Sequence, residues 1–226
     1  MKKTIPVLAL VACLLFLASC AKPYFKSESF KKTTRDHQTI AVLPVKMVFK
    51  GSPLLKASER DRSEIEEAES EAFQISFMNQ LLEHSTKKPL KVSLQSVSTT
   101  NKILRDQMTL RESWEKDPSE LAEILGVDAV VRNEIEKKQF FDDLTSYGIQ
   151  LGVKLISLFT KSVLPLIGGK NLHKSGDIYI RSSLMDGSDG TVLWTISQTK
   201  ETDYSNAANE VIDNLNASVV KYFPYR

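Results

Sequence analysis

Chemistry needs a nucleophile, an acid–base pair or a ligand set, and the 226-residue chain offers few candidates. Its two cysteines are Cys13, inside an apolar run from Ile5 to Ala18, and Cys20, just past the end of that run. Cys20 follows Leu17-Ala18-Ser19. Its thiol is the strong nucleophile at this junction and can carry a diacylglyceryl thioether, while the small Ala18 and Ser19 let the backbone enter a peptidase cleft. Cutting before Cys20 discards Cys13, so the mature chain has no disulfide framework and no cysteine metal site. The three histidines, His37, His84 and His173, are scattered, and no His or carboxylate spacing matches a metal site. Asp186-Gly-Ser-Asp-Gly190 lacks the downstream acid of a calcium loop and reads as a hairpin turn. Gly168-Gly169-Lys170 lacks the spaced first glycine and the following Ser or Thr of a phosphate loop. Ser29 and Lys32 have Ser-x-x-Lys spacing, but in a polar tether they are not preorganised. Asp142 and Asp143 on a strand would point to opposite faces. The expectation is therefore no catalytic residue, no metal and no cofactor.

The elements around Cys20 explain its chemistry. Met1-Lys2-Lys3 is a charged start, and the apolar run after it is shorter than the roughly 20 residues of a bilayer span. Residues 1–19 thus read as an export signal. Leu17-Ala18-Ser19-Cys20 resembles the lipobox of bacterial lipoproteins, which implies lipid attachment at Cys20. By the sorting rule of enteric bacteria, Ala21 in place of Asp implies the outer membrane, with the protein facing the periplasm. The net charge of +2 is too even for a nucleic-acid partner. Lys22 to Gln38 is polar and basic and reads, as residues 20–38, as a flexible tether whose lysines can reach anionic headgroups.

Residues 39–226 carry the pattern of one α/β domain, and roughly 200 mature residues suffice for one core. Thr39 to Val45 is a buried first strand ending near Pro44. Ser58 to His84 is a helix with Ile65, Ala68, Ala72, Ile75, Phe77, Met78, Leu81 and Leu82 at helical spacing. Its acidic first half, Glu59 to Glu71, suits the helix dipole and reads as a solvated face. Pro89 to Val97 reads as a strand, followed by a short helix capped by Ser98 or Thr99. Asp117-Pro118-Ser119-Glu120 starts a helix with a cap, a first-turn proline and a capping box, and Gly126 ends it. Val127 to Ile135, Ile178 to Met185 and Thr191 to Ile196 are strands, the last two joined by the Asp186–Gly190 loop. Ser205 to Tyr222 is the final helix. The order implies a mixed sheet flanked by helices, with parallel crossovers first and an antiparallel hairpin after.

Three segments now converge on a family. Ile40-Ala-Val-Leu-Pro44, Ser119 through Val131, and Leu184 through Trp194 resemble bacterial lipoproteins with a TolB-N-terminal-like domain. These include CsgG, LpoB and small putative lipoproteins. The resemblance spans most of residues 39–222 and implies a non-enzymatic assembly, activation or secretion role. The residues carrying it set turns and core packing, not chemistry.

The least ordinary segment is an apolar excursion at 144–170. As a helix it has one polar stripe, Lys154, Ser157 and Lys161, which fits packing on its own sheet, a partner or a membrane interface. Tyr147, Ile149, Leu151, Val153 and Leu155 also alternate as in a membrane strand, though the alternation fails at Ile156 and Leu158. Leu151, Leu155, Phe159 and Leu166 are the candidate partner or membrane contacts. The chain is read as a lipid-anchored envelope scaffold or accessory subunit with an envelope protein partner or a homo-oligomeric state. The alternatives are a CsgG-like oligomeric secretion channel component and a binding module for lipid or cell-wall fragments.

Overall fold

The architecture comes from a computed structural model that describes residues 22–50, 58–138, 144–150, 175–203 and 206–225. The strands are β1 (Tyr24–Lys26), β2 (Thr39–Val42), β3 (Lys46–Phe49), β4 (Ser93–Leu94), β5 (Ala129–Lys137), β6 (Ser175–Asp186) and β7 (Val192–Asp203). The helices are α1 (Phe30–Thr33), α2 (Glu59–Lys87), α3 (Val97–Arg105), α4 (Leu110–Glu115), α5 (Pro118–Leu125) and α6 (Ala208–Val220). Short 3-10 turns lie at Thr34–Asp36 and Thr145–Tyr147. The strands form one mixed sheet in the order β1-β7-β6-β5-β2-β4, with β3 continuing beside β5. The β2–β4, β2–β5 and β3–β5 pairs are parallel, and β5–β6, β6–β7 and β7–β1 are antiparallel. This is the α/β class with a mixed, helix-flanked sheet that the sequence implies.

β2 is buried on both faces, which is why Ile40-Ala-Val-Leu43 is continuously apolar. Ile40 and Val42 join the larger core, under α2 and α6, while Ala41 and Leu43 join a smaller one, under α3 and α5. Pro44 has no N–H for the ladder, so pairing stops and resumes as β3, which shares β5 as its partner. Helix α2 starts where Ser58 accepts a hydrogen bond from the Asp61 N–H. It buries Ile65, Ala72, Phe73, Phe77 and Leu81 on one stripe. Burial of each of the large side chains, Ile65, Phe73, Phe77 and Leu81, stabilises by about 1.5–3 kcal/mol. Gly126 ends α5 with φ 65°, a conformation that a β-carbon resists.

Four sequence expectations give way here. Residues 22–38, read as a tether, contain β1 on the edge of β7, a buried Phe30 and two helical turns. Phe30 and Tyr24 are apolar anchors that pack against Tyr225 and Tyr222, ring centroids 5.7 Å apart in each pair. The strand expected at 89–97 shrinks to Ser93–Leu94, and Ser96, not Ser98 or Thr99, caps α3 by accepting from the Thr99 N–H. Glu120 pairs with Lys116 one turn earlier, and Asp117 alone caps α5. Helix α4, with a complete Thr109–Glu112 capping box, is an element that the hydrophobic pattern does not mark.

Candidate interaction surface

The sheet has unequal faces. Along β5, Ala129, Val131 and Ile135 face α2 and α6. The alternate residues face the other way, where α3 and α5 cover only the start of the strand at Val130. Beyond it come Arg132, Glu134 and Glu136, each half-buried, with Arg132 tied to the α4–α5 junction at Lys116. β6 sets Arg181 opposite Glu134 and Tyr179 opposite Glu136 in register. This is a broad polar sheet face.

Charge pairs organise it. The Arg132 guanidinium donates to the Lys116 carbonyl at 2.5 Å. Burial lowers Arg132, and Asp117 and Glu115 oppose that shift. Lys46 donates to Glu115 at 2.5 Å and holds that carboxyl below its ordinary range. Lys50 pairs with Glu136 at 2.6 Å. Arg181 donates to the Tyr179 hydroxyl at 3.0 Å, and that hydroxyl donates to Ser197 Oγ at 3.1 Å. A groove of about 440 Å³ runs between these groups, lined among others by Lys50, Glu134, Glu136, Asp177, Tyr179 and Arg181. Its walls are charged, unlike the mostly apolar lining of a small-molecule site.

The groove's position in the chain ties it to the excursion. β5 ends at Lys137 and β6 begins at Ser175, so the strand ends that flank the excursion lie at the groove, whose lining includes Lys138 and Asp177. Cys20, Leu151, Leu155, Phe159 and Leu166 all lie outside the described residues. The described start of the excursion packs inward. Leu144 is buried, and Tyr147 donates to Asp213 Oδ1 at 3.0 Å, an atom that also accepts from Ser76 at 2.6 Å. Burial, followed by the charge of Asp213, raises the Tyr147 phenol well above its ordinary range. Tyr147 closes a 3-10 turn and Gly148 follows with φ 75°, so the alternating membrane-strand pattern does not hold at its first two residues.

Sequence reasoning missed two buried polar groups of this molecule. Lys137 and Glu69 form a fully buried ion pair, Nζ to Oε2 2.5 Å, with both side chains at 0% exposure. Lys137 Nζ lies 5.6 Å from the Phe49 ring centre and 5.7 Å from that of Phe73. Burial brings the ammonium down to about 8, and Glu69 works against that shift. The solvated-face reading therefore fails for Glu69, though Glu64 and Glu66 do pair near the surface, with Arg60 and Arg111. A signal existed: Glu69 sits one turn after Ile65 on the buried stripe, and Lys137 sits on the core-facing parity of β5. The second is His37, whose Nδ1 lies 2.5 Å from the Tyr225 hydroxyl and whose Nε2 lies 3.7 Å from Asp186. Nearby Asp128 accepts from the Gln38 and Thr39 N–H groups at 2.7 and 2.8 Å. Burial raises the Asp128 carboxyl, and these two hydrogen bonds, with His37, outweigh it and leave a net lowering. Together these contacts clamp the N-terminal segment to the C-terminus.

Among the described residues there is no group of three His, Cys, Asp or Glu that could hold a metal. Among them, no helix is long and apolar enough to cross a membrane. The Asp186–Gly190 loop is a turn in which Asp186 accepts from the Ser188 N–H and hydroxyl, and Gly190 has φ 71°.

No known family profile matches the chain. No curated protein matches it either. Among solved structures, lipoprotein GNA1162 from Neisseria meningitidis is 13% identical, with a TM-score of 0.42 over 82% of this chain and 96% of that one. The PelC dodecamer from Paraburkholderia phytofirmans is 13% identical, with a TM-score of 0.39 over 81% of this chain and 85% of that one. The LpoB C-terminal domain from Salmonella enterica is 13% identical, with a TM-score of 0.37 over 76% and 93%. These are distant likenesses, and no residue role is carried over from them.

Proposed function

We propose that this chain is a lipid-anchored protein of the bacterial envelope, cut before Cys20 and held on the outer membrane with its domain in the periplasm. There it acts as a non-enzymatic scaffold or accessory subunit of an envelope complex. The observation that carries the reading is the junction Leu17-Ala18-Ser19-Cys20, placed at the end of an apolar run behind two lysines. A sheet with one half-buried, charge-ordered face supports it, because ordered charges on a face give specificity and register to a protein partner or another copy. The excursion residues Leu151, Leu155, Phe159 and Leu166 are assigned the partner contact.

The test has two arms. Metabolic labelling with an alkyne fatty acid should mark the mature chain, and Cys20→Ser should abolish both labelling and processing. A Cys20→Ser chain that still fractionates with membranes at its processed size removes the anchor from the reading. In-cell photocrosslinking from position 159 should capture an envelope protein or a second copy, and capture of neither removes the scaffold role.

A further inference from the structure

We infer that the molecular edge formed by β1 and the segment after it seats directly on an anionic phospholipid surface. The inference deepens the proposed function and rests on acylation at Cys20. The first argument is distance. Tyr24 is fixed opposite Ile196 on the edge of β7. It lies four positions after Cys20, a separation that at full extension spans about 14 Å. A free tether through Gln38 would reach about 60 Å. The acyl chains and the β1 edge are therefore held together, and the domain lies against the bilayer.

The second argument is charge. Lys22, Lys26 and Lys31 are exposed along this edge, and Lys91 joins them from the loop before β4. Their ammonium groups are close enough to feel one another: burial lowers Lys26, and repulsion from Lys31, Lys22 and Lys91 lowers it further. Residues 22–38 hold five Lys and Arg against two carboxylates, Glu28 and Asp36, and Asp36 is already paired with Arg35. A cluster of like charges beside a lipid anchor is relieved by anionic headgroups.

The third argument is the apolar group that the same strand exposes. Phe25 is 53% exposed, the most exposed large hydrophobic side chain among the described residues. Its strand neighbour Tyr24 packs tilted against Tyr222, ring centroids 5.7 Å apart, and the Lys221 ammonium lies 4.9 Å from the Tyr222 ring centre. Aromatic rings with basic neighbours suit the headgroup layer, where one end is apolar and the other wet.

The experiment uses the mature chain from residue 20 carrying Cys20→Ser, since every contact described here lies within residues 22–225. It is cosedimented with vesicles of phosphatidylcholine alone or with added phosphatidylglycerol. Binding is expected only with phosphatidylglycerol, weakening with salt and by about fivefold for each of Lys22→Gln, Lys26→Gln, Lys31→Gln and Lys91→Gln. Lys200→Gln, at the far end of β7, should leave it unchanged, and circular dichroism should show every variant folded. In the same cysteine-free chain, a nitroxide on Phe25→Cys should be shielded from an aqueous relaxant by anionic vesicles, and one on Leu82→Cys should not. Equal binding to both vesicle types, an equal effect of Lys200→Gln, or equal exposure of the two labels overturns the inference. Mass spectrometry of the native chain separates the readings. An acylated native chain whose unacylated form ignores phosphatidylglycerol overturns this inference alone. A native chain without acyl groups overturns the proposed function and the distance argument with it.

Discussion

Among single residues, Lys137 sets the sharpest expectations. Its ammonium and the Glu69 carboxylate are both fully buried, so each depends on the other for compensation. Glu69→Leu leaves a buried ammonium without its counter-charge and should destabilise the fold by about 3–5 kcal/mol. The double variant Glu69→Leu/Lys137→Met should recover most of that loss. Urea midpoints of the two variants check this, and equal loss in both would show that packing, not charge, dominates. The pair also links stability to pH. Lys137 titrates at about 8 when folded against its ordinary 10.5. Between those values the unfolded chain holds a proton that the folded chain has released, so this group's contribution to stability grows as pH rises. It is complete above the unfolded value and is lost as pH falls through 8. Urea midpoints of the native chain, measured against Glu69→Leu/Lys137→Met from pH 7 to 10, should show the difference rising; a flat difference contradicts the assignment.

Individual elements begin and end by local rules, and those rules are readable from short stretches. Ser58, Asp117-Pro118 and Gly126 start and stop α2 and α5 as their residue types dictate. Helix α4 obeys the same rule, with Thr109 and Glu112 capping each other, but its six residues carry too few apolar positions to give a period. Thr109→Ala removes that reciprocal pair and should cost about 1 kcal/mol, read as a lowered thermal midpoint with unchanged far-UV spectrum. Strand lengths were less legible. β4 keeps two residues because Ser96 is taken as a cap, and β6 and β7 run on to twelve residues each because they pair with one another past their apolar stretches. Backbone pairing stabilises polar strand ends such as Thr199-Lys-Glu201, which no hydrophobic pattern marks.

Across the whole molecule, the N-terminal segment changes meaning. As a tether it would be free of the domain. In the structure it is a strap, held by β1 on β7, by Phe30 in the core and by His37 on Tyr225, a partner 188 residues away in the chain. Phe30→Ala should therefore cost about 3 kcal/mol, where a free tether would lose nothing. Limited trypsin digestion should leave Lys31, Lys32 and Arg35 uncut in the native chain and cut them early in Phe30→Ala. Early cutting of the native chain would restore the tether. The strap also brings the basic residues of the N-terminus to one edge of the domain, with the polar sheet face and its groove beside the root of the excursion.

By itself, the sequence determined the α/β class, the hairpin and most helix termini. Each of these depends on the character of neighbouring residues, whose effects act within a few positions. Only the tertiary structure decided that residues 22–38 pack on the domain, that Glu69 is buried, and that Arg132, Glu134 and Glu136 line a half-buried polar face. The reason is physical: a polar or isolated aromatic side chain is stable in water or in a core according to its partner. Those partners, Lys137 for Glu69 and Tyr225 for Phe30, come from distant parts of the chain that meet only on folding.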